Sequence, residues 1–188
     1  MARESTQQLE PGDQAPAFEL PGADGTDHSL AGFDTTAVLV VFTCNHCPYA
    51  KAKFDVLNDL AADYDDLTVV GINPNDASEY PDDSFERMVE LVDDGTIAYD
   101  AYLRDESQDV AKAYGAECTP DPFLLVAGED GYELAWHGRL DDALNPDAEP
   151  TTHDMRDAID SVLAGEPVEK GFLPSRGCSI KWTGGNQP

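Results

Sequence analysis

Apolar residues in the first half of the chain form two continuous runs with a helically spaced segment between them. The runs Ala37–Thr43 and Leu67–Ile72 are apolar at almost every position, which is typical of strands that are buried on both faces. Residues 48–64 place apolar side chains at helical spacing, and Pro48 suits the first turn of a helix. This order predicts a parallel β-α-β unit around a central strand.

Shorter patterns on either side of this unit predict hairpins and further helices. Turn residues at 23–26 separate two short runs, which predicts an N-terminal β-hairpin. The runs Phe123–Ala127 and Glu133–His137 predict a second hairpin, and residues 98–103 predict a short strand or extended edge segment. Three more helices are predicted, over residues 84–93, 107–114 and 151–164. The resulting fold class is α/β, with a central mixed β-sheet flanked by helices.

The chain has the length and apolar content of one ordinary domain. It has 188 residues, of which 41% are hydrophobic, so it can bury a core of its own. We expect this domain over residues 9–164 and a Gly/Pro-rich C-terminal extension over residues 165–188. The longest apolar run is far short of a membrane span, and residues 1–11 lack the apolar core of a signal peptide. These features predict a cytoplasmic protein that has no membrane partner.

Charge is the strongest departure from an ordinary composition. Acidic residues number 38 and basic residues 11, which gives a formal net charge of -27, and the acidic positions run evenly from Asp13 to Glu169. Such a surface repels itself at low salt, whereas molar salt shortens the screening length to about 3 Å. The charge therefore predicts a halophilic protein, and it disfavours nucleic acid as a partner. An acidic patch that binds a basic partner would instead cluster the charge.

The motif that carries chemistry is Cys44-Asn45-His46-Cys47, which lies where the central strand meets the helix that starts near Pro48. A C-x-x-C at a strand-to-helix turn indicates a redox-active disulfide, because the free N–H groups at a helix start stabilise a thiolate. We predict that Cys44 has the lowered pKa and attacks, and that Cys47 resolves the mixed disulfide. A protonated His46 would further favour the thiolate.

Two other interpretations of the motif compete with a redox dithiol. A structural zinc or copper site needs a second ligand pair at close spacing. The remaining candidate ligands are scattered singly and are Cys118, Cys178, His28, His137 and His153. Two unreactive buried cysteines fit poorly with the polar residues Asn45 and His46 between them.

Three segments together resemble the redoxin superfamily, which groups alkyl hydroperoxide reductases, thiol-specific antioxidants and thioredoxin-like reductases. They are the lead Pro11–Leu20 with Asp24-Gly25, the C-x-x-C motif at a strand end, and Cys118-Thr119-Pro120. The resemblance covers residues 9–163 and implies a thioredoxin-like fold. Three concordant motifs support the resemblance much more strongly than one motif would.

The third segment resembles the loop that faces the dithiol in this superfamily. The resemblance implies that the peptide bond before Pro120 is cis. It also implies that the Thr119 backbone is free to pair with an extended substrate peptide, which would place a substrate disulfide over Cys44. Without the resemblance, residues 119–122 would also fit a rigid turn.

Two departures from the family patterns bear on the activity. Peroxiredoxins carry P-x-x-x-T-x-x-C, and the corresponding proline and threonine are missing before both cysteines of the motif. This difference disfavours efficient peroxide reduction. Thioredoxins carry a buried carboxylate in the strand before the dithiol, whereas residues 37–42 contain none. Another base, water or His46 would therefore have to take the proton.

Cys118 and Cys178 are additional thiols. Cys118 lies beside the Thr119–Pro120 loop, where it serves either as a third redox thiol or as a small buried residue. Cys178 lies in the C-terminal extension, which resembles the tail of a peroxiredoxin-like subgroup. It is either an extra resolving thiol or an idle cysteine on an anchored tail.

Together these features predict a thiol-disulfide oxidoreductase of the peroxiredoxin-like branch with an antioxidant or redox-homeostasis role. The expected partners are protein or small-molecule disulfides, and also hydroperoxides, with a thiol as electron donor. No organic cofactor or metal is expected. One alternative is a thiol-dependent peroxidase with Cys44 as the attacker. A further alternative is a copper-binding thioredoxin-fold module that uses both cysteines and a distant histidine, His137 or His153, although its usual cysteine spacing is one residue longer.

Overall fold

A computed structural model describes residues 2–188 of the chain, and these residues form ten strands and five α-helices. The strands are β1 (Ala2–Glu4), β2 (Glu19–Pro21), β3 (Asp27–Ser29), β4 (Ala37–Phe42), β5 (Leu67–Asn73), β6 (Ala101–Arg104), β7 (Cys118–Thr119), β8 (Asp121–Gly128), β9 (Gly131–His137) and β10 (Arg176–Ser179). The helices are α1 (Pro48–Lys51), α2 (Phe54–Asp63), α3 (Phe85–Asp93), α4 (Asp109–Tyr114) and α5 (Asp154–Leu163). In this part of the chain, no helix is both long and apolar enough to cross a membrane.

Five strands form the central sheet in the order β6-β5-β4-β8-β9. β4 pairs with β5 and β5 with β6 in parallel, whereas β8 pairs antiparallel with both β4 and β9. Every residue of β4 and β5 is buried, as expected for strands covered on both faces. The predicted mixed sheet, its central strand and the parallel β-α-β unit are confirmed.

β4 contributes to two separate cores, because successive side chains of a strand point to opposite faces. Val38, Val40 and Phe42 pack in one core with residues of α4. Leu39 and Val41 pack in the other core with residues of α2 and α5. A third core contains both cysteines of the C-x-x-C motif together with residues of α1 and α3. The sheet is thus covered on both faces, and β4 delivers the motif to its edge.

The prediction of a single helix over residues 48–64 is wrong, because the structure divides this segment into α1 and α2. Lys53 lies between them with φ -112° and ψ 1°, outside the helical region. Its N–H bonds to the carbonyl of Ala50, which is a tighter closure than an α-helix makes. Its ammonium group lies 2.6 Å from the buried carboxylate of Asp141. Periodicity cannot reveal this break, since the apolar spacing continues across it.

The other predicted elements appear with small shifts at their ends. β2 pairs antiparallel with β3 as the N-terminal hairpin, and β8 with β9 as the second one. The three further helices correspond to α3, α4 and α5. Ser84 caps α3, since its hydroxyl accepts from the N–H of Arg87 at 3.3 Å. The short strand predicted at residues 98–103 begins three positions later, as β6.

A second, three-stranded sheet of order β1-β10-β7 is absent from the predicted elements. β10 pairs antiparallel with β1, where Ala2 lies opposite Cys178, and with β7, where Cys178 lies opposite Thr119. The C-terminal extension therefore adds a strand to the fold, and residues 2–4 belong to the same sheet. The prediction of a free Thr119 backbone is wrong, because β10 occupies that edge.

Candidate active site

Cys44 and Cys47 lie just beyond the C-terminal end of β4, where the chain turns into α1. Cys47 is the N-cap of α1, and Pro48 occupies the first helical turn. A proline is favoured there because the first N–H groups of a helix have no partner, so Pro48 fixes the helix start. Both thiols are free, and both side chains have a relative exposure of 0%. The motif is therefore positioned by a buried strand and a short helix.

Both sulfurs face the loop before β8, as the resemblance implies. The peptide bond between Thr119 and Pro120 is cis, in agreement with the prediction. The Sγ of Cys44 lies 3.3 Å from the hydroxyl of Thr119, and the Sγ of Cys47 lies 3.5 Å from the Thr119 carbonyl oxygen. Thr119 thus contacts both members of the pair, one through its side chain and one through its backbone.

The environment of Cys47 favours a thiolate. Its pKa is lowered to about 5, chiefly by a hydrogen bond from the Cys44 thiol, against an opposing effect of burial. The thiol of Cys178 and the backbone N–H groups of Ala50 and Cys178 are further donors. A protonated Cys47 would instead donate to one acceptor, the Thr119 carbonyl oxygen. The groups that favour the thiolate therefore outnumber the one that favours the thiol. These groups, the Cys44 thiol first among them, favour the negative charge of the pair on Cys47.

The environment of Cys44 has the opposite effect. Burial raises the pKa of this thiol well above its usual range, and its contact with Cys47 and the charge of Asp83 add to the rise. This direction is opposite to the predicted lowering of the Cys44 pKa. The prediction assumes that the helix start serves the outer cysteine, whereas Cys47 is the residue that caps α1. The attacking role of Cys44 and the resolving role of Cys47 stay predictions.

A fully buried carboxylate, Asp83, organises the two residues between the cysteines. Its Oδ1 accepts from the backbone N–H of Asn45 at 2.7 Å, and its Oδ2 accepts from the Asn75 side chain at 2.7 Å. The Nδ1 of His46 lies 2.6 Å from the same Oδ2, and its ring stacks on Tyr80 with centroids 5.4 Å apart. Because a carboxylate only accepts, Nδ1 carries the proton and the ring orientation is fixed.

Asp83 is a residue of the site that the sequence pattern does not reveal. It ends the Asp/Pro-rich segment 73–83, and nothing in the sequence separates it from the exposed aspartate beside it. Two buried side chains complete its surroundings. The hydroxyl of Tyr102 donates to the Asn45 side chain at 2.6 Å, and the guanidinium of Arg104 donates to the Asp83 carbonyl at 3.4 Å. These contacts hold the segment against the dithiol.

Cys44, His46 and Asp83 are also the group among residues 2–188 whose spacing suits a metal ion, with one ligand atom from each within 4.8 Å of the others. Both Asp83 oxygens already accept hydrogen bonds, so an ion would have to displace a donor. The histidines of the copper-binding alternative, His137 and His153, do not belong to this group. His137 is buried, and its Nε2 lies 2.8 Å from another buried carboxylate.

The other two cysteines differ in exposure. Cys118 is fully buried, and burial raises its pKa well above the usual range. Its Sγ lies 3.7 Å from the Pro120 carbonyl and 3.8 Å from the Ser175 hydroxyl, which favours the interpretation as a small buried residue. Cys178 is partly exposed and lies against Cys47, and its pKa is raised to about 11, first by burial and then by its hydrogen bond to Cys47. The structure thus brings Cys178 to the pair.

Comparisons with known proteins agree with this fold. A Mycobacterium tuberculosis protein, provisionally named a peroxiredoxin in two strains, is 33% identical over 120 residues, which are 59% of this chain and 67% of its own. The crystal structure of a hypothetical protein from Sinorhizobium meliloti has a TM-score of 0.89 at 41% identity and covers 97% of this chain and 100% of that one. A conserved protein from Geobacillus kaustophilus has a TM-score of 0.88 at 39% identity, with 97% of both chains covered.

A more distant structure and a family pattern complete the comparison. The structure is provisionally named a thiol:disulfide interchange protein, from Chlorobium tepidum, and has a TM-score of 0.60 at 19% identity, covering 84% of this chain and 98% of that one. An identity this low shows the fold alone. The pattern of the AhpC/TSA family matches residues 11–134, which include the C-x-x-C motif and the cis-proline loop. The chain therefore belongs to the AhpC/TSA family.

Proposed function

We propose that this protein is a thiol-disulfide oxidoreductase that cycles Cys44 and Cys47 between dithiol and disulfide. The observation that carries the proposal is a pair of free thiols at a helix start, facing the cis-proline loop, with the pKa of Cys47 lowered to about 5. Membership of the AhpC/TSA family supports the same class of chemistry.

The proposed cycle transfers two electrons through sulfur. The Cys47 thiolate attacks one sulfur of a disulfide, a mixed disulfide forms, and the other sulfur leaves as a thiolate that takes up a proton. Cys44 then attacks the Cys47 sulfur, the second sulfur leaves, and a Cys44–Cys47 disulfide remains. A thiol donor restores the dithiol by the reverse exchange. This assigns the first attack to Cys47, whose pKa is lowered, instead of to Cys44.

His46 and Asp83 together act as the proton acceptor for Cys44 in this proposal. Cys44 must lose its proton to attack, and burial keeps its pKa high. A ring nitrogen of His46, a carboxylate oxygen of Asp83 and the Sγ of Cys44 lie within 4.8 Å of one another. We expect Asp83→Asn to slow closure of the Cys44–Cys47 disulfide about 100-fold and to flatten its pH profile. Asp82→Asn, which changes the exposed neighbour, is the matched control.

Trapped adducts test the order of attack. Oxidised glutathione is added to the reduced protein in molar KCl, in a Cys178→Ser background that removes the third thiol near the pair. We expect Cys44→Ser to accumulate a glutathione adduct on Cys47, measured by mass spectrometry, and Cys118→Ser to behave as its parent. If an adduct accumulates on Cys44 in Cys47→Ser and none accumulates on Cys47 in Cys44→Ser, Cys44 makes the first attack. An unaltered protein whose Cys44–Cys47 pair stays reduced under the same conditions would overturn the proposed function.

A thiol-dependent peroxidase is the second candidate. The lowered pKa of Cys47 favours it, as does the provisional peroxiredoxin name of the Mycobacterium tuberculosis relative. The Cys47 thiolate would attack one peroxide oxygen, form a sulfenic acid and release water, and Cys44 would then close the disulfide with loss of a second water. Consumption of hydrogen peroxide with a thiol donor, compared between the parent and Cys47→Ser, tests this. Rates no faster than those of a free thiol would exclude it.

The copper-binding alternative, the antioxidant role, the cytoplasmic location and the halophilic host stay predictions. Metal analysis of protein purified without a chelator tests the first of them. Less than about one tenth of a copper ion per chain, where a dedicated site would be filled, would remove that alternative.

A further inference from the structure

β10 occupies the edge of the site where an extended substrate would pair. The resemblance implies that such a peptide bonds to the Thr119 backbone. In this structure Cys178 of β10 lies opposite Thr119, and Ser179 lies opposite Cys118, in antiparallel register. β1 covers the far edge of β10, with Ala2 opposite Cys178. The docking edge, which is the backbone of residues 118–119 where a substrate peptide would pair, is therefore occupied by a strand of the protein itself.

The fit of β10 depends on Gly177. A Cβ at this position would lie 1.9 Å from the Thr119 carbonyl oxygen, so only glycine lets the strand come so close. The start of the strand is anchored by two buried serines, since the Ser175 N–H donates to the hydroxyl of Ser5 at 2.9 Å. β10 is thus a fitted element of the site.

β10 presents a thiol to the dithiol pair. Cys178 packs against the cluster that contains Cys44 and Cys47, and its thiol and backbone N–H help to lower the pKa of Cys47. Cys178 is partly exposed, whereas Cys44 and Cys47 have a relative exposure of 0%. Among the three thiols of the site, Cys178 is the one that solvent reaches. A docked substrate strand would place its reacting sulfur at the same point.

We propose that β10 is a built-in substrate strand that carries the disulfide between the buried Cys44–Cys47 pair and small thiols or disulfides in solution, through Cys178, and that closes the docking edge to polypeptides. This inference rests on the proposed function and names the substrate class of the same site. The reactants are small molecules, because the backbone groups that would hold a polypeptide already pair with β10.

Each step of the relay is a thiol-disulfide exchange. In the oxidised protein, the Cys178 thiolate attacks the Cys47 sulfur, the Cys47–Cys178 bond forms and the Cys44–Cys47 bond breaks, and Cys44 leaves as a thiolate that takes up a proton. A small thiolate then attacks the Cys178 sulfur, and Cys47 leaves. A second small thiolate removes the first from Cys178, which yields a small-molecule disulfide and the reduced protein. The reverse order reduces a small disulfide.

The electrostatics of Cys47 and Cys178 suit two steps of this order. Cys47 has the lowered pKa, so it is a good leaving group in the second step, when a small thiolate attacks the Cys178 sulfur. The pKa of Cys178 is about 11 because of burial and because of its hydrogen bond to Cys47 and the charge there. Oxidation of Cys47 removes that charge and thus two of these causes. Cys178 therefore ionises more readily when the pair is oxidised, which is when the relay needs its thiolate.

Disulfide mapping tests the relay. Reduced Cys44→Ser is treated with oxidised glutathione and digested, and its disulfides are identified by mass spectrometry. We expect a Cys47–Cys178 disulfide, and the same bond when Cys118→Ser is added as a control. With Cys44 present, Cys178→Ser should slow reduction of the oxidised pair by glutathione about tenfold. Absence of the Cys47–Cys178 bond, or reduction as fast without Cys178, would overturn the relay.

Gly177→Ala tests the closed edge. Because the new Cβ cannot fit against Thr119, β10 must move away, and we expect insulin reduction in molar KCl to rise about tenfold. Gly184→Ala is the matched control, since a Cβ there meets nothing within 4 Å. A measurement on the unaltered protein keeps the test valid if Gly177→Ala fails to fold. That protein should reduce oxidised glutathione but not insulin, and comparable turnover of both would overturn the closed edge.

The failure of this inference differs from the failure of the proposed function. If the proposed function is wrong, oxidised glutathione leaves Cys44 and Cys47 as thiols in the unaltered protein. If only the inference is wrong, the pair cycles with glutathione, while Cys178 has no effect on the rate and insulin is accepted.

Discussion

The central sheet and the small three-stranded sheet meet beside the cis-proline loop, but they are held together in different ways. β4 and β5 are buried at every position, so apolar packing holds them. β1 is exposed at every position, and hydrogen bonds to β10 and an ion pair between Arg3 and Glu117 at 2.8 Å hold it. The difference indicates that one sheet positions the thiols rigidly, while the other is a cover with lower local stability.

The largest effect is expected from Leu39→Ala in the central sheet. Leu39 is fully buried in β4, and its loss leaves a cavity against α2 and α5. We expect the free energy of unfolding, measured by urea titration in molar KCl, to fall by about 3 kcal/mol. A fall of less than about 1 kcal/mol would contradict the tight packing that the burial indicates.

Both sheets lie beneath the same acidic surface, and its effect on stability can be tested by changing the salt concentration. A formal net charge of -27 makes the folded chain repel itself when the charges are not screened. We expect the urea midpoint to fall steadily as KCl is lowered from molar to about 0.1 M. Sucrose at matched osmolality is the control, and it should not replace the salt. A urea midpoint that does not change with the KCl concentration would count against the prediction of a halophilic protein.

Cys178→Ala tests whether the small sheet tunes the dithiol. In the parent, the thiolate absorbance of reduced Cys47 should persist as the pH falls and disappear near the pKa of about 5, because a lowered pKa keeps the thiolate above that pH. Alanine removes a donor to that thiolate, so the loss should occur at a higher pH. Cys178→Ser keeps a donor and should stay close to the parent. Identical profiles for all three proteins would show that β10 has no electrostatic role.

The smallest effect is expected from Arg3→Gln at the outer edge of the small sheet. The Arg3 side chain is 47% exposed, so water and salt screen its ion pair with Glu117. We expect the free energy of unfolding to change by less than about 1 kcal/mol, and by less again in molar KCl. Hydrogen exchange at β1 would show whether the strand loosens. A loss as large as that from Leu39→Ala would erase the contrast between the two sheets.

Local pattern predicts the central sheet because each buried strand is a continuous apolar run of its own. The same reasoning fails where a contact joins distant residues. The pairing of Ala2 with Cys178 spans most of the chain, and β10 has no apolar signature. Asp83 looks like the other aspartates around it, and only the fold brings it to His46. Sequence reasoning finds the dithiol itself, whereas the distribution of charge between its two sulfurs depends on the groups that the fold brings to each of them, Cys178 among them.

The position of β10 in the chain has a consequence for the newly made protein. β10 follows the other nine strands along the chain, so the ribosome releases it after them. The central sheet and the dithiol can assemble before this cover arrives. During that interval, Cys44 and Cys47 are open to oxidants and to other unfolded chains in the cell. If β10 closes the edge of the site as proposed, the order of strands along the chain thus gives the young protein a brief period in which polypeptides can reach the pair directly.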